Sequence, residues 1–107
     1  KLYVLGDEKI LNNECISIVG SRCCTSYGAD IAKRFANYLG QNEITIVSGM
    51  AKGIDSHAHL GAMETKGKTI AVLGSGFEHI FPSKIIFEKI LENNGTIISE
   101  YSPEVLM

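Results

Sequence analysis

The sequence predicts an α/β domain built on a doubly wound, mainly parallel sheet in three layers. Three observations predict it. Strand-like segments begin at residues 15, 44, 69 and 96, roughly every 27 residues, with a helical segment between each pair. The strand segments are near-continuous apolar runs, the pattern of strands covered on both faces. Three of them end in glycine-rich loops. A strand–helix–strand rhythm of this kind closes through right-handed crossovers, and its ligands collect beyond the carboxyl ends of the strands.

Residues 2–6 (LYVLG) form a short strand closed by Gly6. Residues 15–20 form a second strand, β-branched and nearly unbroken, and so buried on both faces. Residues 26–39 are helical: Ile31, Phe35 and Leu39 recur at i, i+4 and i+8 beside Ala32 and Ala36, as one apolar stripe. Thr25 or Ser26 caps the start, and Gly40 falls just past the end. Residues 44–48 (ITIVS) are the next strand. A shorter helix covers 54–66, with Asp55 placed favourably for the helix dipole and Gly67 closing it. Residues 69–74 (TIAVLG) are another buried strand. A third helix starts at Pro82-Ser83 with Ser83 as its cap. Ile86, Phe87, Ile90 and Leu91 turn to the core, and Gly95 ends it. Residues 96–99 (TIIS) are the last strand.

The 107 residues suit a single domain over 1–107, and 45% hydrophobic content with eleven glycines suits a packed fold with many tight turns. Both ends read as cut, so a larger protein is expected, with the domain incomplete on its C-terminal side. The formal net charge of −2 excludes a bulk basic footprint, so any nucleic-acid contact must be local. No run approaches the ~18 apolar residues of a membrane span, and residues 1–10 lack the apolar core of a signal peptide. Cys15, Cys23 and Cys24 are odd in number and form no C-x-x-C pair. They argue against a disulfide framework or a zinc site and suit a cytoplasmic protein.

The loops carry the chemistry. They read Gly20-Ser21-Arg22, then Ser48-Gly49-Met50-Ala51-Lys52-Gly53-Ile54-Asp55, then Gly74-Ser75-Gly76. In a parallel sheet all three lie on one edge. Glycine lets backbone amides approach an anion, and the following helix N-terminus adds positive dipole. Arg22 and Lys52 supply charge, and a phosphate or a row of phosphates is the natural ligand. Strand–helix turns also need glycine simply to pack, and three such loops on one edge weigh against that simpler account. Neither G-x-G-x-x-G nor G-x-x-x-x-G-K-[ST] is present, so neither a standard dinucleotide site nor an ATP-hydrolysing loop is expected, and no cofactor. Arg22 either meets a phosphate or pairs with Asp55 or Glu100, and Lys52 either meets a phosphate or is simply solvated. Asp55, His57 and His59 could suggest a metal trio, but on a helix residue 57 points about 200° from 55. No metal is therefore expected: Asp55 reads as a cap and His59 as a buried, hydrogen-bonded histidine. Cys23-Cys24 reads as small loop filling. Tyr27 either packs over the first helix or stacks on a base.

These blocks resemble a known family. Val19-Gly20-Ser21-Arg22 with Thr25, Tyr27 and Gly28 is similar to the opening of the Rossmann domain in the DprA/Smf family of DNA-processing proteins. Residues 48–55 followed by Ala58-His59 resemble its S-G-x-A-x-G-I-D-x-x-A-H block, and residues 69–76, Phe81-Pro82 and Ser99-Glu100-Tyr101 resemble later ones. The resemblance implies a Rossmann-like fold and a non-enzymatic protein that binds single-stranded DNA. It further implies protection of incoming strands in natural transformation, help in loading the RecA recombinase, and a homodimer in the full-length protein. It implies a phosphate or base-stacking contact at Arg22 and a phosphate contact at Lys84, which lies near a position often basic in the family with Ser83 as the alternative match. Phe81 stands where tyrosine is common, and Ser102 interrupts a Tyr-Pro-Pro-like run. Two rivals belong to the same broad group: a nucleotide-binding sensor and a nucleotide phosphoribohydrolase-like enzyme. The glutamate-bearing P-G-G-x-G-T-x-x-E signature of the enzyme is absent.

Overall fold

The computed structural model of the protein describes residues 2–78 and 84–104. One sheet holds five strands: β1 (Tyr3–Gly6), β2 (Cys15–Ser17), β3 (Thr45–Ser48), β4 (Thr69–Leu73) and β5 (Thr96–Ser99). Three helices connect them: α1 (Ser26–Gln41), α2 (Ile54–Met63) and α3 (Lys84–Glu92). The spatial order is β1-β5-β4-β3-β2. β2 to β5 are parallel neighbours in chain order, and β1 lies antiparallel on the outer side of β5. The mainly parallel, Rossmann-like α/β sheet predicted by the rhythm of the sequence is what forms, and the carboxyl ends of β2, β3, β4 and β5 open on one edge.

Each parallel strand is added on the same side of its predecessor, so right-handed crossovers put the three helices on one face. The core agrees. Register aligns Ser48, Ala71 and Ile97; Ala71 and Ile97 bury with Ile90 of α3, and Ile46 buries with Ala36, Ala58 and Ala62 of α1 and α2. Among the described residues the winding therefore runs in one direction. The other face is crossed by the β1–β2 connection, which carries a short 3₁₀ helix (Glu8–Asn12) that the sequence pattern does not announce. It is tied down at both ends: the Thr96 hydroxyl donates to the Asp7 carbonyl, and Asn13 Nδ2 donates to Thr45 Oγ1 at 3.1 Å. Ile10, between the ties, is buried.

Several local expectations change. β2 pairs only over Cys15–Ser17 and is exposed throughout, because it is the edge strand and no helix closes over its outer side. Thr25, not Ser26, caps α1, accepting from the Gly28 N–H at 3.0 Å. α1 continues through a buried Gly40 to Gln41. α2 stops at Met63, where Thr65 Oγ1 donates to the Ala62 carbonyl at 2.7 Å and accepts from the Gly67 N–H at 2.8 Å. α3 buries Ile90 and packs Ile86, Phe87 and Leu91 on the core as expected. Pro82 and Ser83 lie outside the described residues. After α3 the left-handed residue is Asn94, φ 62°, and the Gly95 N–H returns to the Ile90 carbonyl at 2.8 Å.

The largest change is in α1. Its buried row is Ala32, Ala36 and Gly40, while Phe35 is 60% exposed. The reason is the partner helix. α2 presents Ala58, Gly61 and Ala62, and small residues on both sides bring the two backbones close. At Gly61 a Cβ would run into the backbone carbonyl of Lys33. Larger side chains are thereby pushed to the flanks. Gly61→Ala is expected to destabilise the fold by about 1–3 kcal/mol, because the obstacle is backbone and cannot swing away. A thermal melt checks it; at roughly 4–8 °C per kcal/mol for a domain of this size, an unchanged melting temperature contradicts the close packing.

Candidate functional site

The carboxyl ends of four strands, about 4.8 Å apart, place four loops in a row roughly 15 Å long. In order from β2 they are residues 18–25, 49–53, 74–78 and 100–104. What fixes the first two is one helix. The residue capping the start of α2 is Gly53, whose φ is 81° and whose position leaves no room for a Cβ against the carbonyls of Ser21 and Arg22. The Ile54 N–H donates to the Ser21 carbonyl at 3.3 Å. The start of α2 is thus nested in the β2 loop.

Two side chains one turn apart on α2 hold the rest. Asp55 is buried. Its Oδ1 accepts from the Gly20 N–H at 3.3 Å, and its Oδ2 accepts from the Gly49 N–H at 2.9 Å. One carboxylate therefore joins the β2 loop to the β3 loop, and the first turn of α2 favours its charge. His59 is fully buried. Its Nε2 accepts from the Met50 N–H at 3.2 Å, and its Nδ1 is 2.7 Å from Thr69 Oγ1, whose own proton goes to the Ile46 carbonyl at 3.0 Å. These partners assign the proton to Nδ1. Burial lowers the His59 pKa to about 4, against the opposing pull of the Asp55 charge. Met50 is held in the left-handed region at φ 63° with its side chain in the core, a conformation that non-glycine residues seldom adopt.

This geometry places the predicted site residues in two groups. Ser21, Arg22 and Lys52 are exposed on adjoining loops, and among the described residues neither Arg22 nor Lys52 makes an ion pair. The expected alternative partners of Arg22 are not used: Asp55 faces the amides, and Glu100 is exposed at the far end of the row. Ser21 Oγ accepts from the Cys23 N–H at 3.0 Å. Lys84 is exposed at the first residue of α3, which leaves the same edge.

The second group is occupied or covered. The Gly20 and Gly49 amides, expected to face an anion, face Asp55 instead. Ser48 is buried and its hydroxyl donates to the Ile18 carbonyl at 2.5 Å. Ser75 is buried, with its carbonyl accepting from Ser99 Oγ at 2.7 Å. Gly76 is buried beneath the carbonyls of Ser102 and Pro103. Gly74 is exposed, and Gly53 is half-buried in its nest. The row is therefore uneven: cationic side chains stand over β2 and β3, while the β4 and β5 ends carry exposed Glu78 and Glu100. Tyr27 is 77% exposed on the first turn of α1, so it does not pack over that helix. Among the described residues no three His, Cys, Asp or Glu side chains come together as a metal site, and no helix is long and apolar enough to cross a membrane.

Comparison with known proteins follows the same lines. The profile of a family described as DNA recombination-mediator protein A matches residues 1–107. The chain is 38% identical over 103 residues to DNA processing protein DprA of Streptococcus pneumoniae, covering 95% of this chain and 36% of that protein. It is 36% identical over 106 residues to protein Smf of Escherichia coli, covering 97% and 28%. Among solved structures, DNA processing protein A from Helicobacter pylori, studied for its single-stranded DNA binding mode, superposes with a TM-score of 0.88. The identity is 31% over 98% of this chain and 48% of that one. The Streptococcus pneumoniae DprA structure gives 0.86 at 35% identity, over 98% and 37%. The chain spans about a third of the length of the relatives it matches.

Two outcomes test the clasp. Asp55→Asn turns one acceptor into a donor facing an amide N–H. It is expected to lower stability by about 1–3 kcal/mol in urea denaturation and to speed hydrogen exchange in residues 18–22 and 48–53. Unchanged exchange there contradicts the joining role. His59 is neutral in the fold with a pKa near 4 and titrates near 6.5 when unfolded. The unfolded chain therefore binds the extra proton between those values. Stability is complete above about pH 6.5 and falls as the pH drops, by up to about 1.4 kcal/mol per pH unit. Unfolding free energies at pH 7 and pH 5 check this, with His59→Asn expected to flatten the dependence.

Proposed function

We propose that this chain, which belongs to the DNA recombination-mediator protein A family, grips single-stranded DNA by its phosphates over the β2 and β3 loops and performs no chemistry on it. The observation that carries this is the pair Arg22 and Lys52: exposed, unpaired among the described residues, and standing on two loops joined by Asp55. Clasped loops spare the cost of ordering the backbone when these cations meet a phosphate, and an arginine fork adds directed, charge-assisted bonds. Ser21 and Gly53 line the same stretch, Gly74 follows it, and Lys84 extends the charge toward α3. Ser48, Gly20 and Gly49 act from beneath, by holding the loops. Ser75 and Gly76 belong to the covered part of the row. Phosphate contacts carry no base information, so binding is independent of sequence. The likeness to the Helicobacter pylori protein, whose structure concerns single-stranded DNA binding, supports the ligand.

The family membership supports the finer role as well. As part of a longer, cytoplasmic, homodimeric protein, the domain shields incoming strands in natural transformation and helps load RecA onto them.

Affinity for an oligo-dT strand is expected to fall with salt at a log–log slope of about −0.7 for each phosphate neutralised. Arg22→Ala is expected to weaken binding roughly tenfold, equally on oligonucleotides of different sequence, and to make the slope shallower by about 0.7. Fluorescence anisotropy over a salt series measures all three. Affinity that ignores salt overturns the phosphate contacts, and an unaltered variant removes Arg22 from them.

A further inference from the structure

The row of loops is divided, and its second half is not made for phosphates. Residues 69–83 and 90–107 contain no lysine or arginine. Among the described residues, the exposed charges at the ends of β4 and β5 are the carboxylates of Glu78, Glu100 and Glu104, with Lys84 at the head of α3. A strand lying over β2 and β3 through its backbone has its bases free to turn toward this half. There the chain sets out an aromatic ring: Tyr101 is 45% exposed.

Tyr101 is also held still. Its N–H donates to Ser99 Oγ at 3.0 Å, and the Ser99 hydroxyl donates in turn to the buried carbonyl of Ser75 at 2.7 Å. Two residues on, the Pro103 carbonyl accepts from the Glu78 N–H at 2.9 Å, and the Ser102 carbonyl closes over Gly76. The segment bearing Tyr101 is thus sewn to the β4 loop on both sides of the ring. This explains why Ser75 and Gly76 are covered: they serve as the seat of this segment. β5 ends two strand spacings, about 10 Å, from β3 on the same edge.

We propose that Tyr101 is a stacking platform for a base of the bound strand, so that the edge holds a phosphate lane over β2–β3 and a base lane at β4–β5. This rests on the single-stranded DNA assignment above and adds a second class of contact to it. Every base has a π face, so the platform adds affinity without reading sequence. The segment beneath the ring is already ordered, so stacking does not also require the backbone to be ordered.

The test compares a dT oligomer with an abasic oligomer of the same length and phosphate count. Wild-type protein is expected to bind the dT strand on the order of tenfold more tightly. Tyr101→Ala is expected to bring dT binding down to the abasic level while leaving abasic binding unchanged, and Tyr101→Phe is expected to keep the preference. The chain contains no tryptophan, so Tyr101→Trp introduces a unique fluorophore, expected to be quenched by the dT strand and not by the abasic one. Equal wild-type affinity for both strands, or a Tyr101→Ala variant that retains the dT preference, overturns the platform and leaves the phosphate lane standing. Loss of both affinities in Tyr101→Ala assigns the residue to the fold and likewise overturns the platform. Wild-type protein that binds neither strand overturns the phosphate lane, and the platform with it.

Discussion

The carboxylate of Asp55 is the contact on which the candidate site depends. A lone carboxylate in a protein interior is costly unless it is met by donors. Here the donors are backbone amides from two different loops, Gly20 and Gly49, and the positive end of α2 adds to them. Glycines were expected to turn their amides outward to a ligand anion, but the chain supplies its own anion. The consequence is that the loops are shaped internally, and in the proposed reading the outward contacts fall to side chains. His59 completes the fixing from one turn further along, holding Met50 in a backbone conformation that the local sequence does not favour.

This arrangement requires α2 to enter beneath both loops at a set depth. The one-directional winding of β2 to β5 brings α1 and α2 side by side on one face, and the alanine–glycine contact between them sets how closely they approach. Packing far from the edge and geometry at the edge are therefore parts of one constraint. A bulkier residue at Gly61 would move the helix whose first turn carries Asp55.

Much of this was legible in the sequence. Apolar runs recurring at a fixed interval specified parallel strands, and the loops after them shared one edge for topological reasons alone. The same i, i+4 spacing that places Asp55 and His59 on one face of α2 argued against a metal trio with His57. What that spacing does not state is where the face points, since the partners, Gly20 and Thr69, are distant in sequence. Phe35 misled for a related reason. Periodicity assigns apolar residues to a stripe, yet which edge of the stripe is buried depends on the size of residues on the facing helix. The exposure of β2 follows from its place at the end of the strand order, which hydropathy does not report. The covering of Ser75 and Gly76 depends on residues 99–103, a contact between segments over twenty residues apart.

A chain with net charge −2 is an unexpected candidate for holding a polyanion, and the proposed binding depends on how its charges are distributed. Two cations are balanced elsewhere: Lys33 pairs with Glu64 and Arg34 with Asp30, both at 3.0 Å. Asp55, the acid nearest the cationic loops, is engaged by two amides and directed inward. The exposed carboxylates of the row lie at its other end, about 10–15 Å from the β2 loop, which is beyond a Debye length of about 8 Å at physiological salt. Over the distance that matters to a single phosphate, Arg22 on the β2 loop stands apart from the exposed carboxylates of the row, although the net charge of the molecule is negative. On the proposed reading, the same separation would keep backbone and bases from exchanging places along the edge. On that reading, a strand that slid its phosphates toward β5 would meet Glu100 and leave Arg22 behind, so the charge pattern would fix where the phosphates sit along the edge.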